Sequence, residues 1–346
     1  MADSGATFSY YLRRIVEAHE TLSREQATAL MRQILAGEAS DADLAKLLLA
    51  LNARGETAAE IAGFATAMRE AATMLPLTPD EQAELVDTCG TGGDSSGSFN
   101  ISTAAALVAA AAGARVAKHG NRAVTSQCGS ADVLEALGIP VQLAPEAAAA
   151  ALREHGFCFL LAPAHHPAMK AVMPVRRALG MRTVFNVLGP LLNPAGARRQ
   201  VMGVYSARLV PLVAEAMTML GVQLALVVHG DQGLDEIALS GPSEIAEVRC
   251  DEFGFHMAQS SILPEQFGLR RAPLAALAGG DAVANAAILT AIFAGEIGPR
   301  RDVVLLNAAA VLVTAGLALQ MQEGVELAAK AIDSSAVTRL VSKLAR

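Results

Sequence analysis

Three glycines in four positions, Gly90-Thr-Gly-Gly93, end a short apolar run at Leu85 and Val86, and Asp94 follows them. Glycine allows a positive φ and lets the main chain approach a ligand closely. Three polar groups come next: Asn100-Ile-Ser-Thr103, Lys118-His-Gly-Asn-Arg122 and Gly129-Ser-Ala-Asp132. Backbone N–H groups beside a helix start favour an anion, and a lysine ammonium is a natural phosphate partner. Together these groups point to a diphosphate-bearing ligand at the end of a parallel sheet. Each also has a plain structural reading. Residues 90–93 serve equally as a tight turn, Asn100, Ser102 and Ser130 as helix caps, and Lys118 as a solvated surface lysine.

Known phosphate loops narrow the choice. The P-loop needs Gly-Lys-Ser/Thr after its glycines, which is absent here. The dinucleotide fingerprint needs a further glycine where Ser95 stands. Neither an ordinary nucleotide hydrolase nor a nicotinamide enzyme is supported. A second chemical feature is Asp235-Glu236, which follows Gly230-Asp-Gln-Gly233. Adjacent carboxylates in a loop can gather a hard cation, and magnesium completes its shell with water and substrate phosphate. The bland alternative is a solvated acidic pair. His165-His166 has no third ligand at convincing metal spacing.

These groups need a scaffold. With 346 residues the chain can bury a large core and is expected to form two domains. Residues up to 75 show helical spacing only. Ser23 starts a run through Ala27, Leu30, Met31 and Ile34 that Gly37 stops; Ser40 and Thr57 start two more. From Pro76 strand-like and helix-like runs alternate. Strands are expected at 85–88, 115–117, 141–143, 157–161, 200–205 and 223–228. Helices are expected at 102–112, from Ser130 to Gly138, at 146–154 and up to 220. Such alternation argues a mainly parallel sheet with helices on its faces. The segment 165–194 interrupts it and reads as helical and proline-rich.

Bulk properties exclude other classes. The chain is 53% hydrophobic with a mean hydropathy of +0.37, but its apolar runs at 104–114 and 303–319 are too short or too interrupted to span a bilayer. No signal peptide is read at the start. A net charge of −7 disfavours nonspecific nucleic-acid binding. Cys89, Cys128, Cys158 and Cys250 contain no C-x-x-C pair, which fits a reducing cytoplasm without zinc or disulfides.

The motifs above, with His166-Pro-Ala-Met-Lys170, Val175-Arg176, Phe185-Asn-Val-Leu-Gly-Pro190, Asn193-Pro194 and Gly233-Leu-Asp-Glu-Ile237, occur in one order over roughly residues 8 to 345. In that order and spacing they resemble the anthranilate phosphoribosyltransferase family of the nucleoside phosphorylase/phosphoribosyltransferase superfamily. The resemblance implies a small all-helical domain (1–75 with 166–194) and a large α/β domain (76–165 with 195–346), with substrates between them. It implies a Mg2+-dependent transferase of tryptophan biosynthesis that joins anthranilate to phosphoribosyl diphosphate and releases pyrophosphate. Phosphoribosyl diphosphate contacts would fall at Gly90, Gly93, Asp94, Ser98, Asn100, Ile101, Ser102, Thr103, Lys118 and Ser130. Anthranilate contacts would fall at Gly90, His119, Asn121, Arg176 and Pro190. Magnesium would sit on Ser102, Asp235 and Glu236. No acid or base side chain is required, since positioning and electrostatics stabilise an oxocarbenium-like transition state. Arg176 would grip the anthranilate carboxylate through two parallel bonds. The resemblance also implies a homodimer through the helical domain.

The chain departs from the family between Arg122 and Ser130. It reads Ala123-Val-Thr-Ser-Gln-Cys-Gly-Ser130 where the family often has Ser-Val-Ser-Ser-Lys-Ser-Gly-Ser. Thr125 keeps a hydroxyl, while Gln127 and Cys128 lose a charge and a donor. Two rivals remain at this level. A pyrimidine-nucleoside phosphorylase-like enzyme would carry a Lys-His-Ser-Thr-Gly-Gly loop in place of Thr88-Cys-Gly-Thr-Gly-Gly. A noncatalytic nucleic-acid-binding paralogue would lack the acidic pair and gain basic patches.

Overall fold

The computed structural model describes residues 6–123 and 127–346, so the hydroxyl of Thr125 lies outside the described residues. Four helices open the chain: α1 (Phe8–Val16), α2 (Arg24–Leu35), α3 (Asp41–Arg54) and α4 (Ala58–Glu70). Local chemistry sets their starts. The side chains of Ser23, Ser40 and Thr57 accept from backbone N–H groups of the first turns of α2, α3 and α4, which satisfies donors a helix start leaves unpaired. The apolar faces of these helices share one core with Val172, Val175, Phe185, Leu188 and Leu191 of the interrupting segment.

Seven strands form one sheet in the order β3-β2-β1-β4-β5-β6-β7. They are β1 (Leu85–Gly90), β2 (Arg115–Gly120), β3 (Phe157–Leu161), β4 (Arg199–Gly203), β5 (Leu224–Gly230), β6 (Ser243–Asp251) and β7 (Gly254–Ile262). The first five are mutually parallel, β6 runs antiparallel to β5, and β7 runs antiparallel to β6. The strand order reverses direction at β1, between β2 and β4, and such a switch point opens a ligand crevice at the carboxyl ends of the strands. One face of the sheet is covered by the helices Ile101–Ala111, Pro299–Ala315, Met321–Asp333 and Ala336–Leu344. The helix Leu209–Met219 and the N-terminal helices lie against the other. The fold is therefore a helical bundle joined to a large α/β unit with a mainly parallel sheet.

Several expectations shift. Residues 141–143 are not a strand. Val141 buries into the core from an irregular stretch, and among the described residues the edge of β3 away from β2 has no strand partner. One alternating triplet suits a loop that buries a single side chain as well as it suits a strand. Pro145 does begin a helix, Pro145–His155, with left-handed Gly156 after it. Ser130 is the first helical residue and not the cap of Ser130–Ala136. The carboxylate of Asp132 does the capping, accepting the N–H groups of Gly129 at 2.8 Å and Ala123 at 2.9 Å. The hairpin of β6 and β7 was not expected. The apolar stretch 303–319 is the buried helix Pro299–Ala315, which ends at Gly316. Among the described residues no helix is long and apolar enough to cross a membrane.

Candidate active site

Four neighbouring strands end in residues without a side chain: β1 at Gly90, β2 at Gly120, β4 at Gly203 and β5 at Gly230. Three of these ends make room for the acidic pair. A Cβ on Gly90 would lie 2.2 Å from Asp235 Oδ2, one on Gly203 1.6 Å from the Asp235 carbonyl oxygen, and one on Gly230 2.4 Å from the Glu236 carbonyl oxygen. No real Cβ approaches another atom so closely, so Asp235-Glu236 crosses the strand ends in space that only glycine leaves.

The crossing joins two motifs far apart in sequence. The N–H of Gly92 donates to Asp235 Oδ2 at 2.7 Å, and the N–H of Ser102 donates to Glu236 Oε1 at 3.1 Å. Gly92 and Gly93 have φ of +69° and +70°, the left-handed region that glycine adopts without steric cost. The carboxylate of Asp94 lies beside Asp235 and accepts the Ser96 N–H at 3.1 Å. Lys118 is not a solvated lysine. It is fully buried, and its Nζ donates to the Thr88 carbonyl at 2.6 Å and to Ser102 Oγ at 3.3 Å. Asp87, below it, accepts the His119 N–H at 3.1 Å, and burial pushes its carboxyl up to about 6.

Burial, then repulsion from Asp94, holds Asp235 well above the ordinary carboxylate range. Burial, then repulsion from Asp235, does the same to Glu236, with Lys118 opposing it. The crevice thus concentrates more negative charge than one lysine offsets, on hard oxygen donors. A divalent cation that prefers oxygen fits this set. Among the described residues no three His, Cys, Asp or Glu side chains form a ready-made metal cluster. Magnesium takes one or two carboxylates and fills its shell with water and phosphate.

The other expected donor-side residues divide. Ser102 faces both Glu236 and Lys118. Asn100 precedes the helix Ile101–Ala111 but makes no cap bond. Its Nδ2 donates to the Cys128 carbonyl at 3.2 Å, and its Oδ1 accepts from Asn285 Nδ2 at 2.9 Å, so the amide ties the turn before Ser130 to this helix start. Ile101 belongs to the core. Thr103 is fully buried, and its Oγ1 has no hydrogen-bond partner among the described residues. Ser98 Oγ accepts from Ser96 Oγ at 3.1 Å.

Of the residues expected near the anthranilate, His119 is buried, and so is His166, with the two rings edge to face at 5.2 Å. The Nε2 atoms of both are buried with no hydrogen-bond partner among the described residues. Burial, then neighbouring histidines, lowers the pKa of His119 to about 3 and that of His166 to about 4, so both rings are neutral near pH 7. Pro190 is buried and its carbonyl accepts from Gln200 Nε2 at 2.6 Å. Arg176 is half-buried, and its guanidinium lies 5.3 Å from the centre of the Phe185 ring. Burial lowers its pKa. Among the described residues no carboxylate pairs with it, whereas its neighbour Arg177 is exposed. Asn121 is exposed, and its Oδ1 accepts the Arg122 N–H at 2.8 Å.

A model described as "Glycosyl transferase family, helical bundle domain" matches residues 9–72, and one described as "Glycosyl transferase family, a/b domain" matches residues 82–337. An anthranilate phosphoribosyltransferase of Chloroflexus aggregans is 52% identical over 320 residues, covering 92% of each chain. The chain belongs to the anthranilate phosphoribosyltransferase family. The crystal structure of the Thermus thermophilus enzyme has a TM-score of 0.87 at 45% identity, covering 96% of this chain and 98% of that one. The Saccharomyces cerevisiae enzyme, in complex with PRPP and Mg, has a TM-score of 0.87 at 28% identity, covering 98% and 97%.

Within this family framework some supporting residues escaped the reading of motifs. Gly230 gave a signal, closing the strand-like run from Leu224, whereas Gly203 lies inside the run Val201–Tyr205. Asn307 is a lone amide inside an apolar run, the pattern of a buried polar group with a fixed partner, and Gln200 stands at the start of one. Arg182 had no distinguishing signal. Its guanidinium stacks 4.0 Å from the Tyr205 ring centre and donates to the Gly93 carbonyl, linking the helical segment to the glycine loop.

Proposed function

We propose that the chain transfers the phosphoribosyl group of 5-phosphoribosyl 1-diphosphate to the amine of anthranilate, the second step from chorismate to tryptophan. The amine nitrogen forms the new bond to C1 while the bond from C1 to pyrophosphate breaks, and the amine gives up a proton to solvent water. The observation that carries the reading is the Asp235 carboxylate on the Gly92 N–H, inside a chain 52% identical to a named anthranilate phosphoribosyltransferase.

The residues take the following roles. Main-chain N–H groups at 93–94 and at the start of Ile101–Ala111, with Ser98 and Ser130, hold phosphate oxygens. Lys118 places a buried positive charge under them. Asp235, Glu236 and the Ser102 hydroxyl would hold magnesium, which supplies positive charge to the diphosphate as negative charge develops on it. Arg176 takes the anthranilate carboxylate, and His119, Asn121 and Pro190 border the aromatic ring. The neutral imidazoles keep charge out of that slot. No side chain is asked to act as acid or base; orientation and electrostatics lower the barrier.

The same reading places residues 1–75 with 166–194 in a small helical domain and 76–165 with 195–346 in a large one. It makes the protein a cytoplasmic homodimer paired through the helical domain, which light scattering checks. The activity is tested by mixing the protein with anthranilate, phosphoribosyl diphosphate and Mg2+ and following anthranilate fluorescence. Loss of fluorescence that needs all three components supports the reading, and a flat trace with folded protein refutes it.

A further inference from the structure

The acidic pair lies on a segment with no regular structure, between the short helical turn Asp231–Gly233 and β6. Its backbone needs an external support, and one helix provides it. Asn307 stands in the middle of the long helix Pro299–Ala315, among the buried side chains of Val303, Val304, Leu306, Ala310 and Val311. Its Oδ1 accepts the N–H of Ile237 at 2.9 Å, and its Nδ2 donates to the Ile237 carbonyl at 2.9 Å and to the Val303 carbonyl at 2.9 Å. The amide therefore pairs with both backbone groups of the residue next to Glu236, as a neighbouring strand would. An amide so buried is tolerated only because all of these bonds are made. The same helix packs against Ile101–Ala111, whose first turn carries Ser102, and against β1, β4 and β5. One rigid element thus supports both sides of the expected cation site.

We propose that Asn307 is a positioning residue that sets the affinity of the Asp235-Glu236 segment for the divalent cation. It touches neither substrate nor metal. The proposal rests on the assignment of the metal to Asp235 and Glu236. A second, independent tie acts on the same segment: Ser243 Oγ accepts the Ala238 N–H at 2.9 Å.

The test titrates Mn2+ by electron paramagnetic resonance in the presence of pyrophosphate, with Mg2+-dependent turnover alongside. Asn307→Ala should weaken Mn2+ binding about tenfold and raise the half-saturating Mg2+ by a similar factor. The KM for anthranilate at saturating Mg2+ should change less than about twofold. If Asn307→Ala does not fold, Ser243→Ala carries the test, with the same split at about threefold. A folded variant with unchanged Mn2+ binding, or with metal and anthranilate constants worsening together, overturns the proposal. Asp235→Ala separates the two layers. If it abolishes Mn2+ binding while Asn307→Ala leaves it intact, only the positioning role falls; if it leaves binding intact, the metal assignment falls with it.

Discussion

The donor side of the crevice is built mainly from backbone, and the acceptor side mainly from side chains. At the donor side the strands end in glycine, the loop presents N–H groups, and the two carboxylates are already bound to Gly92 and Ser102. At the acceptor side Arg176 lacks an acidic partner among the described residues, and the Nε2 atoms of His119 and His166 are buried without one. Buried polar groups are nearly always satisfied, and Thr103 Oγ1 on the donor side is a further unpartnered atom. On the proposed reading one half is preorganised by packing of the main chain, and the other is completed by its substrate. Substitutions should therefore fail in different ways on the two sides.

The largest effect is expected at Gly203. A methyl there would sit 1.6 Å from the Asp235 carbonyl oxygen, so Gly203→Ala must displace the acidic segment. Its kcat/KM should fall by about a thousandfold, since a 1 Å misplacement alone can cost about a hundredfold. Steady-state kinetics on protein with a wild-type circular dichroism spectrum checks it, and near-normal kinetics would show that the segment is not held by the strand ends. Next come the carboxylates themselves. Asp235→Asn and Glu236→Gln should each raise the Mg2+ needed for half-maximal rate by about tenfold or more, with little change in the anthranilate KM. An unchanged metal titration removes them from the cation site.

Arg176→Ala should follow. Losing a charge-assisted bond of about 1.5–3 kcal/mol predicts an anthranilate KM raised roughly 10- to 150-fold. The KM for phosphoribosyl diphosphate should move less than about twofold. Equal effects on both substrates would erase the distinction between the sides, and Arg177→Ala serves as the silent control. The smallest effect concerns stability. Folded His119 and His166 have pKa values lowered to about 3 and about 4. A base with a lowered folded pKa binds fewer protons folded than unfolded. Its contribution is therefore whole above about pH 6.5 and is lost as pH falls towards the folded values. Each ring should cost up to about 1.4 kcal/mol per pH unit in that window. Urea unfolding between pH 6.5 and 4.5 should show a shallower pH slope for His166→Asn than for the parent chain. Equal slopes would mean that the His166 imidazole is not protected from protons.

How much of this was legible depended on whether a residue's role is local. Helix starts at Ser23, Ser40 and Thr57 were readable because a cap and its N–H partners lie within one turn. The glycine loop and the acidic pair were readable as motifs, but not their contact, because Gly92 and Asp235 are 143 residues apart. Lys118 was legible as a phosphate partner, but its burial was not, because nothing in its neighbours announces that Thr88 and Ser102 close over it. The hairpin of β6 and β7 was missed because β7 is exposed along nearly its whole length. It lacks the alternation that a half-buried strand prints on its sequence. Asn307 and Gln200 drew no notice as site residues, since a single amide in or at the start of an apolar run gives no hint of which backbone it will hold.

The central claim is that the glycine loop and the acidic pair form one site for diphosphate and a divalent cation. Crystals of the protein soaked with Mn2+ and pyrophosphate, measured at the manganese absorption edge, test it most directly. An anomalous peak is expected beside the carboxylates of Asp235 and Glu236, with diphosphate density on the N–H groups of Gly93 and Asp94. Manganese and diphosphate bound elsewhere, with that crevice left to water, would contradict it.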